Sequence, residues 1–181
     1  LTDVRKRGED AGVKILLGSW SICPTSVRFR DTWGTADEHL QLGIRAAKAL
    51  GSPAFRVILG AGDDRKTEGG IEARIADTVK VLKRNRTRCL DSGIKVAMEN
   101  HAGDMHTLEL KGLIEEAGPD YVGANFDSGN AAWTMEDPVQ ALENIGKYVL
   151  TTSLRDSAIW ESENGVTVQW TAMGSGDTDL K

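Results

Sequence analysis

The sequence GIKVAMENH, residues 93–101, has the form of a buried strand that ends in polar residues. Gly93 stops the helix before it, and Ile94–Met98 is an apolar run of strand length. Glu99 and His101 follow directly, at the carboxyl end of the predicted strand. In α/β proteins, functional sites are built where parallel strands end. This segment therefore predicts both a strand of a parallel sheet and the edge of that sheet which carries the chemistry.

Strand-like and helix-like segments alternate along the rest of the chain. The predicted strands are Val13–Leu17, Ala54–Leu59, Ile94–Met98, Tyr121–Phe126, Tyr148–Leu154 and Val166–Thr171. The predicted helices are Leu1–Ala11, one after the capping box Thr35–Glu38, one long helix from Ile71 to Cys89, one from Thr107 and one from Pro138. The loose segments are Ser21–Gly34, Gly60–Gly70 and Ala158–Gly165. Six strands separated mostly by helices predict an α/β fold with a parallel sheet.

Composition narrows the class of protein. The chain has 181 residues, 22 Lys and Arg against 27 Asp and Glu, and a formal net charge of −5. This length suits one domain, and the acidic balance argues against a nucleic-acid partner. No apolar run is long enough to cross a bilayer, and no secretory signal opens the sequence, so we expect no membrane partner and a cytoplasmic location. Cys23 and Cys89, without metal-site spacing, are expected to be reduced thiols.

Polar residues also follow the next two predicted strands. Asp127 comes 28 residues after Glu99, and Ser153 comes 26 residues after Asp127, each spacing being one βα unit. Strand alternation puts Glu99 and Asp127 on one face, where two carboxylates repel each other unless a cation or proton lies between them. A divalent metal with open positions for a polyol is the simplest solution. The alternative is a pair of salt bridges inside a barrel, with Arg56 or Lys95.

Four segments resemble the xylose isomerase-like TIM-barrel superfamily of sugar phosphate isomerases and epimerases. They are Ala46–Val57, Gly93–His101, Phe126–Asn130 with Glu136–Pro138 behind it, and Tyr148–Asp156. The resemblance implies a (β/α)8 TIM barrel, which usually needs about 250 residues. We therefore expect residues 1–181 to be a single barrel domain truncated at both ends, with about strands two to seven present. Related barrels commonly pair, so a homodimer is also expected.

The resemblance implies one divalent ion, Mn²⁺, Co²⁺, Mg²⁺ or Zn²⁺, held by residues at the strand ends. Carried over, the ligands fall on Glu99, Asp127 and Ser153, and Ser153 stands where the family has histidine. A neutral hydroxyl is a poor ligand beside an imidazole, so metal affinity is expected to fall. Ser175 likewise replaces a glycine-flanked glutamate of the family. The implied activity is isomerisation or epimerisation of a sugar, sugar phosphate or sugar acid through an enediolate, with Glu99 moving the proton.

Four further residues are candidates for substrate binding, each with a structural alternative. His101 either contacts substrate or is a surface residue, and Asn130 either touches substrate hydroxyls or serves a turn. Arg155 is expected to form a structural pair with Asp156 at the rim, with substrate contact as the lesser alternative. Trp20 either walls a sugar pocket or packs in the core.

Other functions of the same fold stay open at this point. A lyase or decarboxylase would use the same ligands, and a degenerate barrel that binds a sugar acid without catalysis would explain Ser153. An apurinic-site endonuclease needs a histidine-rich three-zinc site, which three histidines and a charge of −5 disfavour. The expected isomerase or epimerase activity rests largely on analogy with other proteins of this fold.

Overall fold

The computed structural model describes residues 1–178, in which five parallel strands form one sheet whose strand order follows the chain. These strands are β1 (Leu17–Ser21), β2 (Ala54–Ile58), β3 (Lys95–Glu99), β4 (Val122–Asp127) and β5 (Val149–Ser153). The helices are α1 (Thr2–Asp10), α2 (Ala36–Leu50), α3 (Gly70–Arg84), α4 (Arg86–Ser92), α5 (Thr107–Ala117) and α6 (Pro138–Ile145). Two antiparallel strands, β6 (Asp156–Ser162) and β7 (Gly165–Thr171), form a separate hairpin. The fold is the partial α/β barrel that the sequence predicts.

The two faces of the sheet differ in residue type because side chains alternate along each strand. Phe55 and Val96 are aligned across β2 and β3, are fully buried and belong to the apolar core. Arg56 is aligned with Ala97 on β3 and with Gly18 on β1. A Cβ added at Gly18 would lie 3.2 Å from Cδ of Arg56, so the small neighbours leave room for a long cationic side chain.

Helices α2 to α6 bury side chains against the sheet, whereas α1 buries none. Thr35 and Glu38 form the capping box predicted at the start of α2. Gly43 of α2 lies against the ring of Phe55 so closely that a Cβ would overlap it. The largest fully buried side chains of this layer are Tyr121, Phe55, Ile22, Leu40, Ile44, Ile58, Leu59, Leu82, Met98, Met105, Leu110 and Leu113. Within residues 1–178, no helix has the length and apolar character needed to cross a membrane.

Two predicted elements have the wrong boundaries. The first strand is Leu17–Ser21 rather than Val13–Leu17, because Val13 is 61% exposed and the apolar run lies outside the sheet. The predicted long helix ending near Cys89 is two helices that meet at Asn85. The Asn85 side-chain amide donates to the carbonyl oxygen of Val81 at 2.9 Å and to Asp37 at 2.7 Å, which ends α3 there.

The sixth predicted strand does not join the parallel sheet. Val166–Thr171 lies within β7, which pairs antiparallel with β6, so the count of parallel strands is five rather than six. The segment Ala158–Gly165, predicted as a loose loop, instead contains most of β6 and its turn. Glu163 and Asn164 form the turn between the two strands, and Gly165, with a φ of 124°, begins β7 opposite Ser162. Cys23 and Cys89 are both buried free thiols, as expected.

Candidate active site

Glu99 lies at the carboxyl end of β3 and is fully buried. Its Oε2 accepts hydrogen bonds from Nε of Arg56 and, at 2.9 Å, from Nδ2 of Asn125. Its Oε1 accepts from Nδ2 of Asn130 at 3.2 Å. The salt bridge to Arg56 is the structural alternative considered above, and Lys95 is not involved in it. The carboxylate is thus held in one orientation by three N–H donors.

Asp127 ends β4 and is also fully buried. Its Oδ1 accepts from the backbone N–H of Asn130 at 3.2 Å. Its Oδ2 lies 2.9 Å from Nε of Arg155, an ion pair without hydrogen-bond geometry, so this oxygen has no directed donor among residues 1–178. Burial raises the pKa of Asp127 to about 7; Arg155 opposes this rise, and the charge of Glu99 adds to it.

Asn130 joins the two carboxylates, since its backbone contacts Asp127 and its side chain contacts Glu99. Its Oδ1 is buried and has no hydrogen-bond partner within the described part of the chain. A buried acceptor without a donor is costly, which indicates a place for a hydroxyl group of a ligand or for water. The predicted juxtaposition of Glu99 and Asp127 is therefore present in the structure, and Asn130 contacts both.

Ser153 lies beside Asp127 in the register of β4 and β5, at the height predicted from the βα spacing. Its Oγ accepts from Nδ2 of Asn125 at 3.0 Å, so the hydroxyl serves a side chain of the neighbouring strand. Across residues 1–178, no three His, Cys, Asp or Glu side chains lie close enough to hold one metal ion. Glu99 and Asp127 each already have an arginine as counter-charge. This donor set does not fit the divalent ion that the resemblance implies.

His101 lies two residues beyond β3, with its ring anchored from one side. Its Nδ1 lies 2.7 Å from the carbonyl oxygen of Gly60, so Nδ1 carries the proton and Nε2 is left as an acceptor. Burial lowers the pKa of His101, which favours this neutral form. Asp104, fully buried behind it, accepts from the backbone N–H groups of His101 and Gly60, both at 3.1 Å. The loop that presents His101 is therefore fixed by a buried carboxyl group.

A cavity of about 590 Å³ opens beside His101. Trp20 and Trp133 both line it, and the ring of Trp20 packs edge-on against His101 with centroids 5.8 Å apart. Trp20 is half-buried, and its indole Nε1 donates to the carbonyl oxygen of Arg28 at 2.8 Å. Flat aromatic walls beside hydrogen-bonding groups suit a ligand with apolar faces and hydroxyl edges. Trp20 therefore lines a pocket, and its contact with a sugar stays a prediction.

The predicted pairing of Arg155 with Asp156 is wrong. Arg155 turns inward to Asp127, and its guanidinium carbon lies 4.9 Å from the ring centroid of Trp170 on β7. Asp156 instead accepts from four backbone N–H groups, those of residues 157, 174, 176 and 178. Arg155 lies in the link between β5 and β6, whereas Asp156 begins β6, and the two side chains have different partners.

Sequence reasoning did not assign a role to several residues that shape this site. Asn125 shares the inward face with Asp127, and that alternation was the available signal. Trp133 follows the polar cluster by a few residues, but nothing in its spacing distinguishes it. Trp170 lies against Trp133, which lines the cavity, because β6 and β7 fold back as a hairpin.

Replacement of Gly129 by Ala is expected to displace Arg155. A Cβ at Gly129 would lie 2.5 Å from Cγ of Arg155 and 3.0 Å from Oγ of Ser157. Overpacking of this kind costs about 1–3 kcal/mol. The free energy of unfolding, measured with urea, should fall by this amount. Gly112→Ala is the control: it lies within α5 with no atom near its Cβ and should be slightly stabilising. Equal effects of the two substitutions would contradict the close packing at Gly129.

Stability is expected to fall as the pH rises from about 6.5 to about 8. Burial raises the pKa of Asp104 to about 8, whereas an unfolded aspartate loses its proton near pH 3.9. The folded state therefore retains a proton that the unfolded state has lost, and each pH unit in this window costs about 1.4 kcal/mol at most. Urea unfolding at the two pH values measures the loss. Asp104→Asn, which cannot titrate, should show a smaller pH dependence; the same slope in both proteins would exclude Asp104 as its source.

Comparison with known proteins supports the fold. The model of the xylose isomerase-like TIM barrel family matches residues 1–181. A xylose isomerase domain protein from Planctomyces limnophilus has a TM-score of 0.74 at 20% identity, covering 97% of this chain and 67% of that chain. An L-ribulose 3-epimerase has a TM-score of 0.75 at 15% identity, covering 98% of this chain and 59% of that one. The IOLI protein with a binding zinc atom gives 0.73 at 15% identity, with 99% and 64% covered.

At such identities the likeness establishes the shared fold. This chain spans between 59% and 67% of the length of these three structures. Comparison with curated protein sequences gives no match.

Proposed function

Because the chain belongs to the xylose isomerase-like TIM-barrel family, we propose that it acts on a polyhydroxy carbonyl compound as an isomerase or epimerase. The substrate class is a sugar, sugar phosphate or sugar acid. The observation that carries the proposal is the pair of fully buried carboxylates, Glu99 and Asp127, joined by Asn130 at the ends of neighbouring strands. An epimerase among the structural neighbours, the L-ribulose 3-epimerase, is consistent with it.

The chemistry begins with removal of a proton from the carbon next to the carbonyl group. Glu99 is the base, because its carboxylate is held in one orientation at the end of β3. General base catalysis of this kind increases the reaction rate by about 10²–10⁴-fold. The electron pair of the broken C–H bond moves to the carbonyl oxygen and gives an enediolate. Protonation of the opposite face by water gives the epimer. Return of the proton from Glu99 to the neighbouring carbon, with transfer of the hydroxyl proton between the two oxygens, gives the isomer.

The remaining residues bind and orient the substrate. The unpartnered Oδ1 of Asn130 and Nε2 of His101 accept hydrogen bonds from hydroxyl groups. Trp20 and Trp133 pack against the apolar face of the sugar and exclude water from one side of the cavity. Because the donor set does not fit a divalent ion, no step of this proposal runs through a metal.

Solvent deuterium exchange tests the proposal without knowledge of the product. The purified chain is incubated in D₂O with a panel of ketoses, ketose phosphates and keto sugar acids. Proton NMR then follows the loss of the signal from the C–H group next to the carbonyl. We expect exchange above the buffer rate for at least one class of substrate. No exchange with any member of the panel, from a folded sample, would reject the enzyme proposal.

A second candidate is a barrel that binds a sugar or sugar acid without converting it. The hydrogen bond between Ser153 and Asn125 favours this candidate, because it uses a strand-end position for internal structure rather than chemistry. Saturable thermal stabilisation by a panel member, without deuterium exchange, would support it. Loss of water or carbon dioxide from the substrate in the same NMR spectra would instead indicate a lyase or decarboxylase.

A further inference from the structure

We infer that two guanidinium groups, those of Arg56 and Arg155, supply the positive charge of this site in place of a divalent ion, and that Arg155 binds an anionic oxygen of the ligand. The inference rests on the proposed function only for the location of the site. It concerns charge and ligand class, and it departs from the metal dependence expected from the resemblance.

The oxygens of Glu99 are already engaged. Three N–H donors, from Arg56, Asn125 and Asn130, point at a carboxylate that offers about four acceptor positions. A metal ligand must present a lone pair to the ion, and the one remaining acceptor position of Glu99 would hold the ion beside the guanidinium group of Arg56. Glu99 is fully buried, so little water would screen the repulsion between the ion and this guanidinium group. The geometry around Glu99 thus favours the arginine over a metal.

The charges of the site balance without an ion. Glu99 pairs with Arg56 and Asp127 pairs with Arg155, so two negative charges meet two positive charges when Asp127 is ionised. Addition of a divalent cation would leave a net charge of about +2 in a largely buried space, which is strongly unfavourable. An arginine cannot lose its proton to relieve this charge. The cation would therefore have to expel the guanidinium groups.

Ser153 is consistent with the same arrangement. An imidazole at this position would serve a metal ion, whereas the Ser153 hydroxyl is hydrogen-bonded to Asn125, which in turn donates to Glu99. The residue thus belongs to the network that holds the arginine-paired carboxylate. With the charge supplied by Arg56 and Arg155, no ligand is needed there.

Arg155 is held in a position from which it can bind an anion. The ion pair with Asp127 fixes Nε, Trp170 covers one face of the guanidinium group, and Gly129 lets the aliphatic part lie close to the backbone. Its side chain is 37% exposed, and its two Nη groups make no hydrogen bond to residues 1–178. A planar guanidinium with two free N–H edges matches a carboxylate, a phosphate or an enediolate oxygen. Buried acceptors beside it, on Asn130 and Asp127, match hydroxyl groups. The ligand class is a polyhydroxy anion.

The metal part is tested by titration of EDTA-treated protein with MnCl₂, followed by electron paramagnetic resonance and thermal unfolding. A site with a Kd of about 10 µM would raise Tm by roughly 5–10 °C at about 1 mM Mn²⁺. We expect less than about 1 °C and an unchanged spectrum of free Mn²⁺. Saturable Mn²⁺ binding that is lost in Glu99→Gln would overturn the inference.

Two variants test whether the arginines, rather than the serine at position 153, prevent the binding of Mn²⁺. Ser153→His restores the imidazole but leaves both arginines, and we expect it to remain unresponsive to Mn²⁺. Arg155→Gln combined with Ser153→His frees Asp127 and supplies the imidazole, and we expect Mn²⁺ to stabilise it measurably. A full response in Ser153→His alone would show that the arginines do not exclude the ion, which contradicts the inference.

The anion part is tested with two probes of similar size, sodium gluconate and the neutral polyol sorbitol. We expect gluconate to bind at least tenfold more tightly, and Arg155→Gln to reduce it to the level of sorbitol. Arg88→Gln, on the exposed surface of α4, is the control and should change neither affinity. Equal binding of both probes by the unaltered chain would overturn the assignment to Arg155. Gluconate binding without deuterium exchange on the substrate panel would reject the proposed reaction alone, so the two failures are distinguishable.

Discussion

Replacement of Glu99 by Gln is expected to slow substrate deuterium exchange by about 10²–10⁴-fold, because the amide cannot accept the proton. The same NMR assay that tests the proposed function measures this loss. The free energy of unfolding should change far less than the activity, by about 1 kcal/mol, since the substitution keeps shape and one acceptor oxygen. A large loss of rate with a small loss of stability is the expected signature of a base that contacts substrate.

The surroundings of Glu99 explain why the variant should fold. The amide nitrogen of a glutamine at this position would meet Nδ2 of Asn130, a donor facing a donor. Rotation of the Asn130 amide by half a turn brings its unpartnered Oδ1 to that place, where it accepts the new hydrogen bond. Arg56 loses its counter-ion but is one-quarter exposed, so water partly replaces the carboxylate.

Two controls sharpen the result. Glu116→Gln removes a carboxylate from the exposed face of α5, 3.3 Å from Lys83, and should leave the rate unchanged. Glu99→Asp keeps the base but shortens its reach, so partial activity is expected from it. An unchanged rate in Glu99→Gln, with the substrate panel active on the parent chain, would remove Glu99 from the catalytic role.

Replacement of Asp156 by Ala is expected to lower Tm by roughly 5–10 °C, the largest loss of stability among the substitutions considered. The Asp156 carboxylate accepts four backbone N–H groups at 2.8–3.1 Å, three of them from the loop 174–178. Backbone hydrogen bonds, with that of Gly176 the strongest, hold its pKa below the usual range. Differential scanning fluorimetry measures the loss, and proteolysis should cut the released loop.

A carboxylate that accepts one backbone hydrogen bond provides the comparison for Asp156. Among residues 1–178, Asp137 accepts only the backbone N–H of Gln140, at 2.9 Å, as the cap of α6. Asp137→Ala should therefore lower Tm by only about 2–4 °C. Since the folded pKa of Asp156 is depressed, its contribution is present at neutral pH and is lost as the pH falls through that pKa. Equal effects of the two substitutions would show that the loop 174–178 is not anchored by Asp156.

Much of the fold follows from the periodicity of apolar residues and from the residues that mark the ends of helices and strands. Strands such as Lys95–Glu99 lie close to their predicted places because Gly93 and the polar cluster mark both ends of an apolar run. The first strand was misplaced because Ser19 and Ser21 look unlike strand residues. In the structure the Ser19 hydroxyl meets His39 at 2.7 Å, and Ser21 donates to a backbone carbonyl. Such long-range partners satisfy polar strand residues, and composition does not reveal them.

The hairpin shows a different limit. The turn residues Glu163 and Asn164 are not a favoured hairpin pair, and the expectation of repeated βα units favoured a loop followed by a parallel strand. The site divides in the same way. The spacing of one βα unit between Glu99 and Asp127 is enough to predict that they lie close together. The partners of Arg56 and Arg155, by contrast, depend on where the fold leaves room for their long side chains. Gly18 and Gly129 make that room, and their effect appears only in three dimensions.

The order of the sheet has a consequence for how the chain acquires its structure during synthesis. Strands β1 to β5 pair only with their neighbours in sequence, so each pairing closes a loop of one βα unit. Loop-closure entropy grows slowly with length, and no strand must wait for a distant partner. The sheet can therefore grow one strand at a time as the polypeptide leaves the ribosome. The carboxylate of Glu99 would then be in place beside Arg56 before Asp127 and Arg155 join the sheet.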